Sequence, residues 1–235
     1  MKKAQKPMKI AIIVIAVLAA IALAVGGAVL AYYYLPISYG ETQTHTVGDG
    51  KTLKVGVISD TQLAPNESDG ESYQNYEAHL HTALSQLKEQ QVEMVLFAGD
   101  ICDNASKHAY HTYQTAIRDT WPDEASRPVF LNIMGNHDLW FESDYWSVPP
   151  KHRLFQKQMG TNPYIHMTVN GVHFIGVSPD KTQNKDGYSQ KALDWMDAEI
   201  QKAQETTPKG KPIFVITHHN PQNTSYGSDV WYDGG

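Results

Sequence analysis

The sequence contains a single cysteine, Cys102, among its 235 residues, so no disulfide can form within the chain and its core must hold the fold. Basic residues are also scarce beyond the N-terminus. Lys and Arg number 19 against 25 Asp and Glu, and four of the lysines lie in residues 1–10. The rest of the chain therefore has 15 basic and 25 acidic residues, a net charge of −10. It repels long polyanions, and no stretch interleaves basic with aromatic residues, so nucleic acid is not expected as a partner.

Charged residues are absent from residues 10–31, a run of 22 residues that can cross a hydrocarbon core of about 30 Å. This run predicts a single-pass transmembrane signal-anchor over residues 10–34. The preceding segment, residues 1–9, holds four lysines and is expected to stay in the cytoplasm, which places the rest of the chain outside it. The alternative is a cleaved signal peptide, although the run is longer than the usual apolar region of such peptides.

After this segment, residues 35–51 are polar and are interpreted as a stalk or linker with an edge strand or loop at its end. Residues 52–235 are long enough for one domain with a sizeable core. Apolar runs predict four strands, at residues 53–58, 92–98, 128–134 and 213–217. Apolar residues at helical spacing predict three helices, at residues 73–90, 105–119 and 189–204.

Two further features complete the expected fold. Asn170-Gly171 between residues 164–169 and 172–178 predicts a β-hairpin. Residues 139–150 are expected to form a long loop with four aromatic residues, either as the wall of a substrate pocket or as a membrane-docking surface; these are Trp140, Phe141, Tyr145 and Trp146. Strands alternating with helices, together with an inserted hairpin, predict an α/β fold with a mixed sheet.

Polar motifs follow each of the four predicted strands. They are Ser59-Asp60-Thr61, Gly99-Asp100-Ile101-Cys102-Asp103, Gly135-Asn136-His137-Asp138 and His218-His219-Asn220-Pro221. The carboxyl ends of neighbouring strands border one crevice, which is where open α/β sheets bind ligands. Carboxylate, amide and imidazole groups together suit divalent metal ions of intermediate hardness. The four motifs therefore predict a metal site.

The order and context of these motifs resemble the calcineurin-like metallophosphoesterase superfamily. The resemblance implies an α/β/β/α sandwich of two mixed sheets. It also implies hydrolysis of a small phosphoester, either a monoester or a diester, by a hydroxide held between two divalent metal ions. Manganese, iron, zinc and magnesium are the candidates for these ions.

The resemblance also implies roles for individual residues. Asp100 would bridge both metal ions, Asp60 and Gln62 would bind the first, and Asn136 and His218 would bind the second. His137 would be the catalytic acid. Asp138 would orient its imidazole, and Asp103 would steady the site.

The sequence departs from the family pattern in two places. Gln62 stands where the family has a histidine, and it can bind a metal through its oxygen, bind through water, or not bind. The Gly-His-x-His phrase that closes the family's site does not occur, so the fold is expected to be incomplete at its C-terminus. The alternative to an active hydrolase is therefore a catalytically impaired fragment, or a metal-binding or interaction module of the same fold.

Overall fold

The computed structural model describes residues 5–34, 39–139, 148–181, 187–221 and 223–224. The chain divides into two units, Met1–Ile37 and Ser38–Gly235. The first unit contains helix α1 (Gln5–Tyr34), in which Ile10–Ala31 has a mean hydropathy of 2.9. This helix is long and apolar enough to cross a membrane, a property that it shares with signal sequences.

The second unit alternates strands with helices, as the sequence predicted. Its strands are β1 (Glu41–His45), β2 (Val55–Ile58), β3 (Met94–Ala98), β4 (Val129–Ile133), β5 (Tyr164–Val169), β6 (Val172–Val177) and β7 (Ile213–Thr217). Its longer helices are α2 (Gly70–Glu89), α3 (Lys107–Thr120), α4 (Val148–Met159) and α5 (Gln190–Thr206).

The strands form two sheets. The first has the order β2-β3-β4 and is wholly parallel, because α2 and α3 provide the crossover connections that parallel neighbours need. The second has the order β1-β5-β6-β7 and is mixed, with only β5 and β6 antiparallel. Asn170 and Gly171 join these two strands with positive φ angles of 50° and 77°, as a tight hairpin turn requires.

Three apolar clusters show how these layers stack. The central cluster joins the facing sides of the two sheets and includes Met94, Leu131, Ile165 and Phe174. A second cluster packs α2, α3 and α4 against the outer face of the first sheet, and a third packs α5 against the second sheet. The arrangement is an α/β/β/α sandwich, so the predicted fold class is confirmed, with one sheet parallel rather than mixed.

Two predicted boundaries differ from the structure. The segment interpreted as a stalk with an edge strand or loop at its end contains β1, an edge strand that pairs with β5, but β1 begins near the middle of the segment, so residues 41–45 belong to the folded unit. The loop predicted up to residue 150 ends earlier, because α4 begins at Val148. Pro149 and Pro150 are compatible with its first turn, where backbone N–H groups have no partner within the helix. The four aromatic residues of that predicted loop lie outside the described residues.

Candidate metal centre

The four polar motifs follow the carboxyl ends of four strands. Asp60 follows β2, Asp100 follows β3, Asn136 follows β4 and His218 follows β7. The first three strands are parallel neighbours, and β7 of the second sheet packs beside β3. Both sheets therefore contribute side chains to one place.

Asp60, Asp100 and His218 form the centre of this site. One donor atom from each residue lies within 4.8 Å of the donor atoms of the other two. Asp100 is only 2% exposed, whereas Asp60 is open to solvent. Two carboxylates and an imidazole at this spacing form a donor set that suits a divalent transition metal or magnesium, so the residues present fit a metal ion.

The backbone around Asp100 is shaped by glycine and by left-handed residues. Asp60 and Asp100 have φ angles of 57° and 55°, a conformation that aspartate tolerates better than most residues. A Cβ atom on Gly99 would lie 2.7 Å from Nδ1 of His218, and one on Gly135 would lie 2.1 Å from Oδ1 of Asp100. The glycines of both motifs are therefore required by close approach.

His218 is held in a defined orientation. Its Nδ1–H donates to the carbonyl oxygen of Ala98 at 2.8 Å, which leaves Nε2 facing Oδ1 of Asn136 at 3.0 Å and Oδ2 of Asp100 at 3.4 Å. Metal-binding histidines commonly donate their second ring N–H in this way. Nε2 is therefore the atom of His218 that can bind a metal.

The charges of Asp100 and His218 reinforce each other. Burial alone would lower the pKa of His218, but its hydrogen bond to the Asp100 carboxylate outweighs burial and raises the pKa to about 9. Burial would likewise raise the pKa of Asp100, but its contacts with His218 and with the His137 amide lower it. The two side chains form an ion pair at neutral pH.

His137 lies beside this pair, and its imidazole is oriented by Asp103. The backbone N–H of His137 donates to Oδ1 of Asp100 at 2.9 Å, and its Nδ1–H donates to Oδ1 of Asp103 at 2.9 Å. The family resemblance implied that Asp138 orients this imidazole, but the side chain that accepts from Nδ1–H is that of Asp103. The side chain of Asp138 points into the protein, whereas that of Asp103 contacts the imidazole from the neighbouring loop.

Asp138 instead ties two of the motif loops together. Its carboxylate is fully buried and accepts hydrogen bonds from the backbone N–H groups of Ile101, Cys102 and Gly135 at 3.2, 3.0 and 2.8 Å. Burial raises the pKa of Asp138 to about 6, against the lowering effect of these amides. Asp138 therefore fixes the loop after β3 relative to the loop after β4.

We expect Asp138→Asn to destabilise the folded domain by about 3 kcal/mol, because in either orientation its NH2 group would face at least one backbone N–H donor with a donor of its own. Urea unfolding of the full-length chain in detergent, followed by tryptophan fluorescence, measures this effect. Asp103→Asn is the matched control, since Asp103 is partly exposed and we expect it to cost less than about 1 kcal/mol. Equal unfolding midpoints for the two variants would contradict the conclusion that Asp138 fixes the loops after β3 and β4.

Gln62 lies on the Asp103 side of the site. Its backbone N–H donates to the carbonyl oxygen of Asp100 at 3.0 Å, with a φ angle of 42°. Gln62 lines a polar cavity of about 570 Å³ together with six other residues, which include Tyr73 and Asp103. Gln62 is thus adjacent to the Asp60, Asp100 and His218 group, and its role as a ligand stays a prediction.

Two tyrosines contact this site although no motif contains them. The hydroxyl of Tyr73 in α2 donates to Asp103, and the hydroxyl of Tyr188 accepts from the backbone N–H of His218 at 3.1 Å. Tyr73 is 30 residues from its partner and Tyr188 is also 30 residues from His218. Local sequence patterns carry no signal for contacts of this kind, because they depend on how the helices and loops pack.

Comparison with known proteins identifies the family. The sequence profile described as calcineurin-like phosphoesterase matches residues 53–234. The chain therefore belongs to the calcineurin-like phosphoesterase family, and the resemblance seen in its motifs is confirmed. A dimetal phosphatase from Danio rerio is a structural neighbour, with 14% sequence identity, a TM-score of 0.47, and coverage of 72% of this chain and 70% of that chain. A search of the curated proteins finds no significant match.

Proposed function

We propose that this phosphoesterase hydrolyses small phosphoesters with two divalent metal ions, and that α1 anchors it in a membrane. The observation that carries the proposal is the convergence of Asp60, Asp100 and His218 at the ends of three strands. Family membership supports the reaction class, and the donor atoms support the dependence on metal ions.

The proposed ligands divide into two sets that share Asp100. Asp60 and Gln62 would hold one ion with Asp100, and Asn136 and His218 would hold the other. Manganese, iron, zinc or magnesium would neutralise the charge of the phosphoryl group and lower the pKa of water when bound there. His218 must give up its proton to offer a lone pair from Nε2, so metal binding should release protons near neutral pH.

His137 is the proposed proton donor to the leaving oxygen. Its Nδ1–H is held by Asp103, so the proton to be transferred resides on Nε2. The carboxylate of Asp103 accepts from Nδ1–H and so fixes the tautomer and the orientation of the ring. Asp138 takes part only indirectly, because it fixes the loops that carry Asp100 and His137.

The proposed substrates are small because the charge of the chain disfavours long polyanions. Beyond residue 10 the net charge is −10. For the location, the lysine-rich segment before the apolar run Ile10–Ala31 favours an orientation with residues 1–9 in the cytoplasm and the catalytic domain on the other side.

We expect the full-length chain in detergent to hydrolyse bis-p-nitrophenyl phosphate or p-nitrophenyl phosphate when Mn²⁺ is present, and to lose this activity on addition of a chelator. Re-addition of Mn²⁺ should restore it. Calorimetry with Mn²⁺ in two buffers of different ionisation enthalpy measures the proton release. Binding of Mn²⁺ without turnover of either ester would instead support a metal-binding module of the same fold.

A further inference from the structure

We propose that Tyr73, which lies outside all four motifs, is a positioning residue that acts on His137 through Asp103. The inference rests on the proposed function, in which His137 donates a proton to the leaving group. Tyr73 lies in the first turns of α2, on a different element from either of the residues that it would position.

Three side chains form a continuous hydrogen-bonded chain. The hydroxyl of Tyr73 donates to Oδ2 of Asp103 at 2.5 Å, and Nδ1–H of His137 donates to Oδ1 of the same carboxylate at 2.9 Å. Each oxygen of Asp103 thus has its own donor. A carboxylate held at both oxygens has a fixed plane, so the imidazole that it accepts from is fixed as well.

Among the residues that the structure describes, Tyr73 and His137 are the two side chains that hydrogen-bond the Asp103 carboxylate, so the Tyr73 hydroxyl is the one that can hold this carboxylate for the imidazole. The Asp103 side chain is 32% exposed, whereas its backbone is fixed by a hydrogen bond from its N–H to the carbonyl oxygen of Leu63 at 3.1 Å. Without Tyr73 the carboxylate could rotate toward water. Small losses of alignment in a catalytic group lower rates strongly, because the productive geometry becomes one of several.

The hydroxyl also keeps its proton over the working pH range. Its hydrogen bond to Asp103 and its partial burial raise the pKa of Tyr73 to about 12. It therefore remains a donor to an ionised carboxylate, which is the stronger kind of hydrogen bond. Loss of the hydroxyl would remove this bond and leave the aromatic ring in place.

The substitution that isolates the hydroxyl is Tyr73→Phe. Tyr76→Phe is its matched control, since the two rings are neighbours with centroids 5.6 Å apart and the Tyr76 hydroxyl is not part of the chain to His137. Both variants are made in the full-length protein and compared with the wild type in their unfolding midpoints. This comparison separates loss of positioning from loss of folding.

The first readout is the dependence of turnover on the leaving group. Phenol needs protonation as it leaves far more than p-nitrophenol does, so diphenyl phosphate tests His137 more severely than bis-p-nitrophenyl phosphate. We expect Tyr73→Phe to lower kcat for diphenyl phosphate by about 10- to 100-fold, the range seen for outer hydrogen-bond partners, with a much smaller effect on the nitrophenyl ester. KM should change little, and Tyr76→Phe should match the wild type. Equal losses on both esters, or no loss on either, would overturn the proposal.

The second readout does not require turnover. In ¹⁵N-edited NMR spectra, the Nδ1–H signal of His137 is identified by its absence in His137→Gln. Tyr73→Phe should shift or broaden this signal, and Tyr76→Phe should leave it in place. An unchanged signal would overturn the positioning role even if the wild type hydrolysed neither ester, whereas a shifted signal in an inactive wild type would support the positioning and reject only the proposed function.

Discussion

Asp100→Asn is expected to abolish metal-dependent hydrolysis, with a loss of about a thousandfold or more, because one carboxylate is shared by both proposed metal sites. Asp100 is buried, belongs to one group with Asp60 and His218, and would be the only charged ligand common to the two ions. Metal ions contribute several kcal/mol to the transition state, and each 1.4 kcal/mol corresponds to about tenfold in rate. Asparagine keeps the size of the side chain and one oxygen for the His137 amide, so the change removes chiefly the charge.

We also expect Asp100→Asn to weaken metal binding. Calorimetric titration with Mn²⁺ should show a marked loss of affinity relative to the wild type, and hydrolysis of bis-p-nitrophenyl phosphate should fall to the background rate. Asp119→Asn, on the exposed surface of α3, is the matched control for loss of one carboxylate. If Asp100→Asn bound Mn²⁺ as the wild type does, the assignment of Asp100 as a shared ligand would be wrong.

Much of the fold could be predicted because its strands and helices have clear local patterns. Residues 213–217 were predicted as a strand with the bounds that β7 shows, and Asn170-Gly171 marked the β5–β6 turn. The strand-then-glycine pattern before Asp100 and before Asn136 reflects a physical requirement, since Asp100, Gly135 and His218 crowd together there. A glycine that close packing requires can therefore be recognised in the sequence.

The remaining features depend on contacts between distant residues. β1 has a polar sequence and forms a strand because it hydrogen-bonds to β5. Its position is therefore not marked by an apolar run. The exchange of roles between Asp103 and Asp138 follows from the direction of each side chain after its strand. One carboxylate points into the protein toward backbone amides and the other points out toward His137, and that difference appears only when the loops after β3 and β4 are placed together.

Because Asp103 rather than Asp138 contacts the His137 imidazole, the role of His137 can be tested apart from the packing of the loops. We expect His137→Gln to lower kcat for diphenyl phosphate by about 10²- to 10⁴-fold, the usual contribution of a general acid, while Mn²⁺ affinity stays close to that of the wild type. The imidazole contributes no donor atom to the Asp60, Asp100 and His218 group, so its loss should leave the donor atoms of that group unchanged. Its backbone N–H, which donates to Asp100, is retained in His137→Gln.

The comparison between His137→Gln and Asp100→Asn separates the loss of proton transfer from the loss of metal binding. Steady-state kinetics with both diesters should show a much smaller loss for bis-p-nitrophenyl phosphate in His137→Gln, because nitrophenolate leaves with little help from an acid. Asp100→Asn should affect both esters alike. Equal losses for the two esters in His137→Gln would mean that the imidazole acts on binding or on the metal centre, and that the proton reaches the leaving oxygen by another route. A loss confined to the poorer leaving group would assign the proton transfer to His137.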